Sequence, residues 1–338
     1  MSTIKDVAKY AGVSIATVSR VINQASNVQP KTVEKVNEAI RACNFVPNMV
    51  ARNLKSEQTK TIGFLVSDIA NSYFTIMAKT LETNLRRQGY DMLICSTDDN
   101  PEKERSYLKH FLGSQVAGMI LNTTGKNNQL IEEISQTVPI VLVERTVELS
   151  GFRGDFVGAD NYSGIYELTT CLLENGHRRV AIVNGNLDVS TGYERYLGFV
   201  DAMKEYGILV DEKYPYRFDT NHFIEKGGAE AAEYFLNMPE APTAMVVTNN
   251  AMAIGVYKYL KSHRYKVPEE ISVLAYGNIE NSELFFIEPG YVTLEPRSIG
   301  RKAYQYLVSR IEEKEVKNRE SIFQPILHIG ESVKKIEC

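Results

Sequence analysis

Arg20 has the side chain best suited by type to read a base edge. A planar guanidinium offers guanine two parallel hydrogen bonds, worth about 1–3 kcal/mol of discrimination. It stands in the run Ser14-Ile15-Ala16-Thr17-Val18-Ser19-Arg20. There Ile15 and Ala16 supply only apolar contact, of the kind a thymine methyl accepts. A second set consists of polar residues that directly follow apolar runs. It comprises Ser67, Asp68 and Asn71, Glu144 and Arg145, Asp160 and Asn161, Asn249 and Asn250, and Gly277 and Asn278. Amides and carboxylates of this type can grip a hydroxylated ligand at two points. Turns favour the same residues, so each one alone is equally accounted for by loop chemistry. Signatures of catalysis are missing. There is no P-loop, GxGxxG with a following acid, HExxH or GxSxG, and the five histidines are scattered. His177 reads as structural. Cys43, Cys95, Cys171 and Cys338 lie far apart without a CxxC or a Cys/His cluster. That spacing predicts no metal site, disulfide framework or cofactor.

The elements that must position Arg20 are short helices. Ile4, Val7, Ala8 and Ala11 recur at helical spacing, and Gly12 ends the pattern. Ser14 can cap a second helix from Ile15 to Asn23, whose apolar face is Val18, Val21 and Ile22. A third follows from Thr32 through Val33, Val36, Ala39 and Ile40. Two short helices joined by a tight turn form a helix-turn-helix, whose second helix presents its first residues to the major groove. Charge agrees with this placement. Residues 1–60 carry nine Lys/Arg against four Asp/Glu, whereas the rest carries 29 against 38. A basic module on an acidic body predicts that the N-terminal part meets a polyanion.

From residue 60 apolar runs alternate with amphipathic stretches. Buried strands are expected at 62–66, 92–95, 118–121, 139–143, 180–183, 244–247 and 271–274, with helices such as Phe74 to Gln88 and Glu102 to Leu112 between them. Such alternation predicts parallel α/β sheets. The two series part near Asp160, so two lobes with a cleft are expected. Ligands bind beyond the carboxyl ends of strands in open parallel sheets, which is where the polar set above falls. No run reaches the roughly 18 apolar residues of a membrane span. The N-terminus has no apolar leader core, so a cytoplasmic protein is expected.

The wording is also specific. Ile4-Lys5-Asp6-Val7-Ala8-Lys9-Tyr10-Ala11-Gly12-Val13-Ser14, then Ala16-Thr17-Val18-Ser19-Arg20-Val21-Ile22-Asn23, closely resembles the lactose-repressor (LacI/GalR) family of bacterial transcription regulators. Val157-Gly158-Ala159-Asp160-Asn161, Asn175-Gly176-His177-Arg178-Arg179-Val180 and Val267-Pro268-Glu269-Glu270-Ile271 extend the resemblance over nearly the whole chain. It implies a helix-turn-helix domain over 1–46, a hinge helix and linker over 47–59, and a periplasmic-binding-protein-like body over 60–338. The implied first lobe covers about 60–158 and 292–318, the second about 159–291 and 319–338. It also implies that Thr3, Ser14, Thr17 and Asn23 join Ile15, Ala16, Ser19 and Arg20 on DNA. In the family, hinge helices from two protomers lie in the minor groove. Asn48, Ala51 and Leu54 match that segment, with Leu54 as the wedge between base pairs, a costly unstacking that a bend returns as contact area. The implied partners are double-stranded DNA with a pseudo-palindromic operator, a second copy of the chain as a homodimer, and a small-molecule effector, a sugar or sugar derivative. No leucine heptad follows the second lobe, so a dimer is expected.

Carried over residue by residue, the resemblance places Ser67, Tyr73, Phe74, Glu144, Arg195, Phe223, Asn249 and Gly277 at the effector. Two departures stand out. Asn249-Asn250 replaces the usual Asn-Asp, and Ala275-Tyr276-Gly277 replaces Gly-Tyr-Asp. Both remove a carboxylate while Arg195 remains, with Arg145 and Arg297 expected nearby. An anionic effector, such as a sugar phosphate or sugar acid, is therefore the expectation, with Glu144 running against it. Control by a protein co-regulator, or a sugar-binding transport role, are the competing readings.

Overall fold

The computed structural model describes residues 2–22, 28–45, 59–147, 149–285, 287–313 and 317–336. Asn23, Asn48, Ala51 and Leu54 lie outside the described residues, as does the expected hinge helix. The chain divides into two compact units, Met1–Thr59 and Lys60–Cys338.

Among its described residues the first unit holds three helices, α1 Ile4–Ala11, α2 Ile15–Ile22 and α3 Pro30–Ala42. Their inward residues, Val7, Ala8, Val18, Val21, Val36 and Ala39, form one small buried core. The turn between α1 and α2 passes through Gly12 at φ 63°, a left-handed conformation that glycine adopts without a Cβ clash. The Val13 amide then closes it by donating to the Ala8 carbonyl at 3.1 Å.

The second unit contains two six-stranded sheets. The first lobe is built on β1 Thr61–Val66, β2 Asp91–Ser96, β3 Gly118–Leu121, β4 Ile140–Val143, β5 Asp155–Ala159 and β11 Glu320–Phe323. Their order is β11-β5-β4-β3-β1-β2, with every neighbouring pair parallel. The second is built on β6 Val180–Asn184, β7 Arg217–Asp219, β8 Ala244–Val247, β9 Ser272–Tyr276, β10 Gly290–Thr293 and β12 Ile326–His328. Their order is β12-β10-β9-β8-β6-β7, parallel except where β12 runs against β10. Helices cover both faces: α4 Ser72–Arg87, α5 Pro101–Gly113, α6 Asn128–Ser135 and α11 Pro296–Glu312 in the first lobe. The second lobe has α7 Asn161–Glu174, α8 Ser190–Glu205, α9 Glu225–Leu236 and α10 Asn250–Ser262. Covered sheets explain why β3, β4 and β8 read as unbroken apolar runs rather than alternating ones.

The chain crosses between lobes after β5, after β10 and after β11. The last crossing departs from the expectation that 319–338 belongs to the second lobe. Glu320–Phe323 instead pairs with Phe156–Ala159 of the first sheet, and only the residues after Gln324-Pro325 join the second. Pro325 has no amide to extend the ladder, which marks the switch.

In the first lobe a buried ion cluster ties the sheet edge to α11. The Asp155 carboxylate, with no exposed side-chain surface, accepts from Arg310 at 2.6 Å and from Arg319 at 2.8 Å. Burial pushes its carboxyl up, but the Arg310 and Arg319 hydrogen bonds outweigh that and hold it below the usual carboxylate range.

Candidate functional site: a groove-reading helix and an interlobe cleft

On α2 the Ser14 hydroxyl accepts from the Thr17 amide at 3.1 Å, satisfying one of the helix's free amides. With Val18 and Val21 in the core, the opposite face presents Ile15, Ala16 and Arg20 to solvent, and Ser19 is half-buried beside them. Ile15 is 46% exposed, so its side chain is accessible beside Arg20. Thr3 caps α1, its amide donating to the Asp6 carboxylate at 2.8 Å. These residues share one small unit whose exposed face carries the types expected for base contact.

In the body a cavity of about 360 Å³ opens between the lobes at the carboxyl ends of both sheets. Ser67, Tyr73, Phe74, Glu144, Arg195, Phe223 and Asn249 all line it. Gly277 does not. Its φ of 96° turns the chain behind Asn250, so that a Cβ there would sit 3.4 Å from the Asn250 Cβ. It lines a neighbouring hollow of about 270 Å³ together with Arg297. The expectation that Gly277 faces the main cavity is corrected accordingly, while Arg297 lies near that cavity, in the adjoining hollow.

Arg195 is held on three sides. Its Nε donates to Asn161 Oδ1 at 2.9 Å and its Nη1 to the Thr248 carbonyl at 2.8 Å. The guanidinium also lies over the Tyr276 ring, 4.2 Å from its centre. Asn161 in turn donates to Glu194 at 2.9 Å. Nη2 makes none of these bonds and is left for a ligand. Arg145 is spoken for more completely. It grips Asp99 with both terminal nitrogens, at 2.5 and 3.3 Å, and reaches the Thr123 carbonyl at 3.0 Å. Both guanidiniums flank Phe223, at 5.6 and 5.9 Å from its centre. That ring packs so closely on Gly185 that any Cβ there would collide with it.

Glu144 follows β4 at φ 64°, an unfavourable backbone for a residue with a side chain. It accepts a hydrogen bond from the Tyr73 hydroxyl, which links α4 to the β4 loop. Burial raises its carboxyl above the usual range, against the lowering effects of Tyr73 and Arg195. Burial, then the Glu144 charge, push the Tyr73 hydroxyl well up. Asn249 caps α10, its Oδ1 accepting from the amides of Ala251 and Met252 at 2.8 and 3.2 Å, which leaves its amide nitrogen for the cleft. Asn122, directly after β3, donates to the Val143 carbonyl at 3.0 Å while its buried Oδ1 accepts from no donor among the described residues.

The charge balance runs against the anion expected from the sequence. Among the described lining residues, carboxylates (Asp68, Asp98, Asp99, Glu144) outnumber guanidiniums (Arg145, Arg195). Asp99 neutralises Arg145, and Asp98 pairs with Lys103 at 2.5 Å. Sequence reasoning missed Asp98, Asp99, Asn122 and Thr191. The first three follow β2 and β3, so the rule that found Ser67 and Glu144 covers them too. Thr191 sits on a helix and carried no such signal. Among the described residues no group of His, Cys, Asp and Glu could hold a metal ion, and no helix is long and apolar enough to cross a membrane.

Comparison with known proteins agrees with this arrangement. Residues 3–48 match the model of bacterial regulatory proteins of the lacI family. Residues 59–330 match that of periplasmic binding proteins and the sugar binding domain of the LacI family. The HTH-type transcriptional repressor PurR of Vibrio atlanticus (strain LGP32) is 35% identical over 327 residues, covering 94% of this chain and 95% of its own. PurR of Vibrio campbellii (strain ATCC BAA-1116) is 34% identical over 340 residues, covering 99% and 100%. Among solved structures, a complex of the transcriptional regulator CelR with cellobiose matches with a TM-score of 0.72 at 25% identity, over 98% of this chain and all of that one. The lac repressor dimer bound to operator and the anti-inducer ONPF matches in fold, with a TM-score of 0.82 at 24% identity over 98% and 99%. A helix-turn-helix unit followed by a two-lobed effector-binding body, matched by family models over both parts, places this chain in the LacI family of DNA-binding transcriptional regulators.

Proposed function

We propose that the chain is a homodimeric repressor of a pseudo-palindromic operator, acting by binding rather than catalysis. A small, uncharged, polyhydroxylated effector in the interlobe cleft sets its operator affinity. One observation carries the effector class: the cavity's charges are matched internally, Arg145 by Asp99 and Arg195 beside Glu144, while neutral or single-ended polar groups remain for a ligand. Ser67, Asn249, the Arg195 Nη2 and the Asn122 Oδ1 supply donors and acceptors around aromatic rings, the pattern of sites that orient small polar rings. An anion would find Arg145 already occupied by Asp99 and Arg195 already beside the Glu144 carboxyl.

On DNA, Arg20 reads a guanine and Ile15 and Ala16 lie against thymine methyls. Thr3, Ser14, Thr17, Ser19, Asn23, Asn48 and Ala51 contact the backbone or groove, and Leu54 opens the central step. The support for these roles is the exposed face of α2 and the family's motif.

A thermal-shift panel of neutral sugars, sugar phosphates, sugar acids and nucleobases tests the effector class. A ligand at 100 times its Kd adds about 2.7 kcal/mol of stability. A neutral sugar is expected to raise Tm and its phosphate is not. A shift confined to phosphates or sugar acids would overturn the proposed class, and none at all would favour a protein co-regulator.

A further inference from the structure

Two buried carboxamides face each other across the cleft. Asn71, ahead of α4 in the first lobe, donates through Nδ2 to Asn250 Oδ1 at 3.0 Å. Asn250, the first residue of α10 in the second lobe, donates through Nδ2 to Asn71 Oδ1 at 3.1 Å. The two residues are only 9% and 8% exposed, so an amide that lost its partner there would be left poorly solvated. Only protein groups take part.

The pair also has a fixed polarity. Asn71 Oδ1 accepts from the Tyr73 amide at 2.9 Å as the cap of α4. That bond determines which end of the Asn71 amide is oxygen, so its nitrogen must point at position 250. The partner must then offer an acceptor and a donor together, which asparagine does and an ionised aspartate does not. A carboxylate at 250 would keep the bond from Asn71 Nδ2 but set its second oxygen against Asn71 Oδ1. The Asn249-Asn250 pair, in place of Asn-Asp, is thereby explained by a contact between lobes rather than by the charge of a ligand.

We propose that Asn71 and Asn250 form a latch that biases the two lobes toward closure through their own hydrogen bonds. The effector acts on an equilibrium this latch has already set. That consequence rests on the cleft being the effector site, but the latch itself does not. Other contacts across the cleft are weaker candidates for the same role. Lys126 and Asp188 meet at 2.8 Å but are about half exposed, where ion pairs contribute little. The Thr146 amide donates to Ser190 Oγ at 3.1 Å, a single bond.

That last bond supplies the reporter. Thr146 follows β4 in the first lobe and Ser190 begins α8 in the second, so its amide exchanges with deuterium when the lobes part. Hydrogen–deuterium exchange is measured on the full chain without added ligand, for the parent, Asn250→Asp and Asn71→Ser. The serine retains a capping oxygen for the Tyr73 amide and removes the amide pair. Exchange at Thr146 should quicken about ten- to hundredfold in both variants, the size expected for one or two lost buried hydrogen bonds. Unchanged exchange at Thr146 in a variant that keeps its cooperative unfolding would overturn the latch. Should one variant fail to fold, the other decides. A failure of the sugar panel with quickened exchange here would reject the effector class and leave the latch standing.

Discussion

Replacing Arg195 by lysine separates two roles that coincide at one side chain. Lysine keeps the positive charge near Glu144 but cannot reproduce the fork that reaches both Asn161 Oδ1 and the Thr248 carbonyl. One of the two acceptors is left buried and unmet. A hydrogen bond from a charged donor contributes about 1.5–3 kcal/mol, so losing one removes roughly 2 kcal/mol. The flat guanidinium over Tyr276 is lost as well, roughly a further 0.5–1 kcal/mol. Together the body should lose about 2–4 kcal/mol. A domain of this size shifts by roughly 2 °C per kcal/mol, so Tm should fall about 4–8 °C. Differential scanning calorimetry of the full chain, with no ligand added, reads this directly. Arg195→Met should fall further, because Glu144 then loses its neighbouring positive charge. An Arg195→Lys Tm within about 1 °C of the parent would refute the reasoning. It would mean that Asn161 and Thr248 do not depend on Arg195, leaving the arginine as a ligand group alone.

Other expectations follow from the same geometry. Glu144 has a folded-state pKa raised above its unfolded value, so the native state binds the extra proton. Its contribution to stability is therefore present at acid pH and lost as pH rises through the folded value, which burial places above the usual carboxylate range. Glu144→Gln should abolish that part of the pH slope in urea titrations, and an unchanged slope would contradict the assignment. Asp155 behaves oppositely: its lowered pKa gives stability that is complete above the unfolded value and fades as pH falls through the folded one. Asp155→Asn removes the carboxylate that Arg310 and Arg319 share and should cost about 3–5 kcal/mol by chemical denaturation. Arg20→Ala should relax base preference at one position of each half-site in a binding-site selection, by about 1–3 kcal/mol. A uniform weakening across all sequences would instead make Arg20 a phosphate contact.

Much of this architecture was legible because each feature depends on neighbours in sequence. Ser14 caps α2 three residues on, and buried parallel strands such as Ala244–Val247 must be apolar throughout. The rule that ligands meet strand carboxyl ends found Ser67, Glu144 and Asn249 for the same reason. The failures share a different cause. Asp99 silences Arg145 from 46 positions away, which no local pattern shows. Gly277 follows a strand like the others, but its left-handed turn tucks it behind Asn250. The short edge strands Glu320–Phe323 and Ile326–His328 are half-exposed and lack an apolar run, so the third crossing was placed a few residues too early, ahead of Glu320.

Asn71 caps the first turn of α4 and holds the opposite lobe with the same carboxamide. One end of a rigid rod is thus gripped at the cleft. The rod is 16 residues, about 24 Å, and its far end carries Arg86 and Arg87 at the surface. A tilt of about five degrees pivoted at Asn71 would carry those arginines roughly 2 Å, given that length. Met77, Leu81 and Leu85 bury that rod in the first lobe, so opening the Asn71–Asn250 pair would displace Arg86 and Arg87 together with the lobe, turning an ångström-scale choice between the lobes into a displacement of charge on the outer surface.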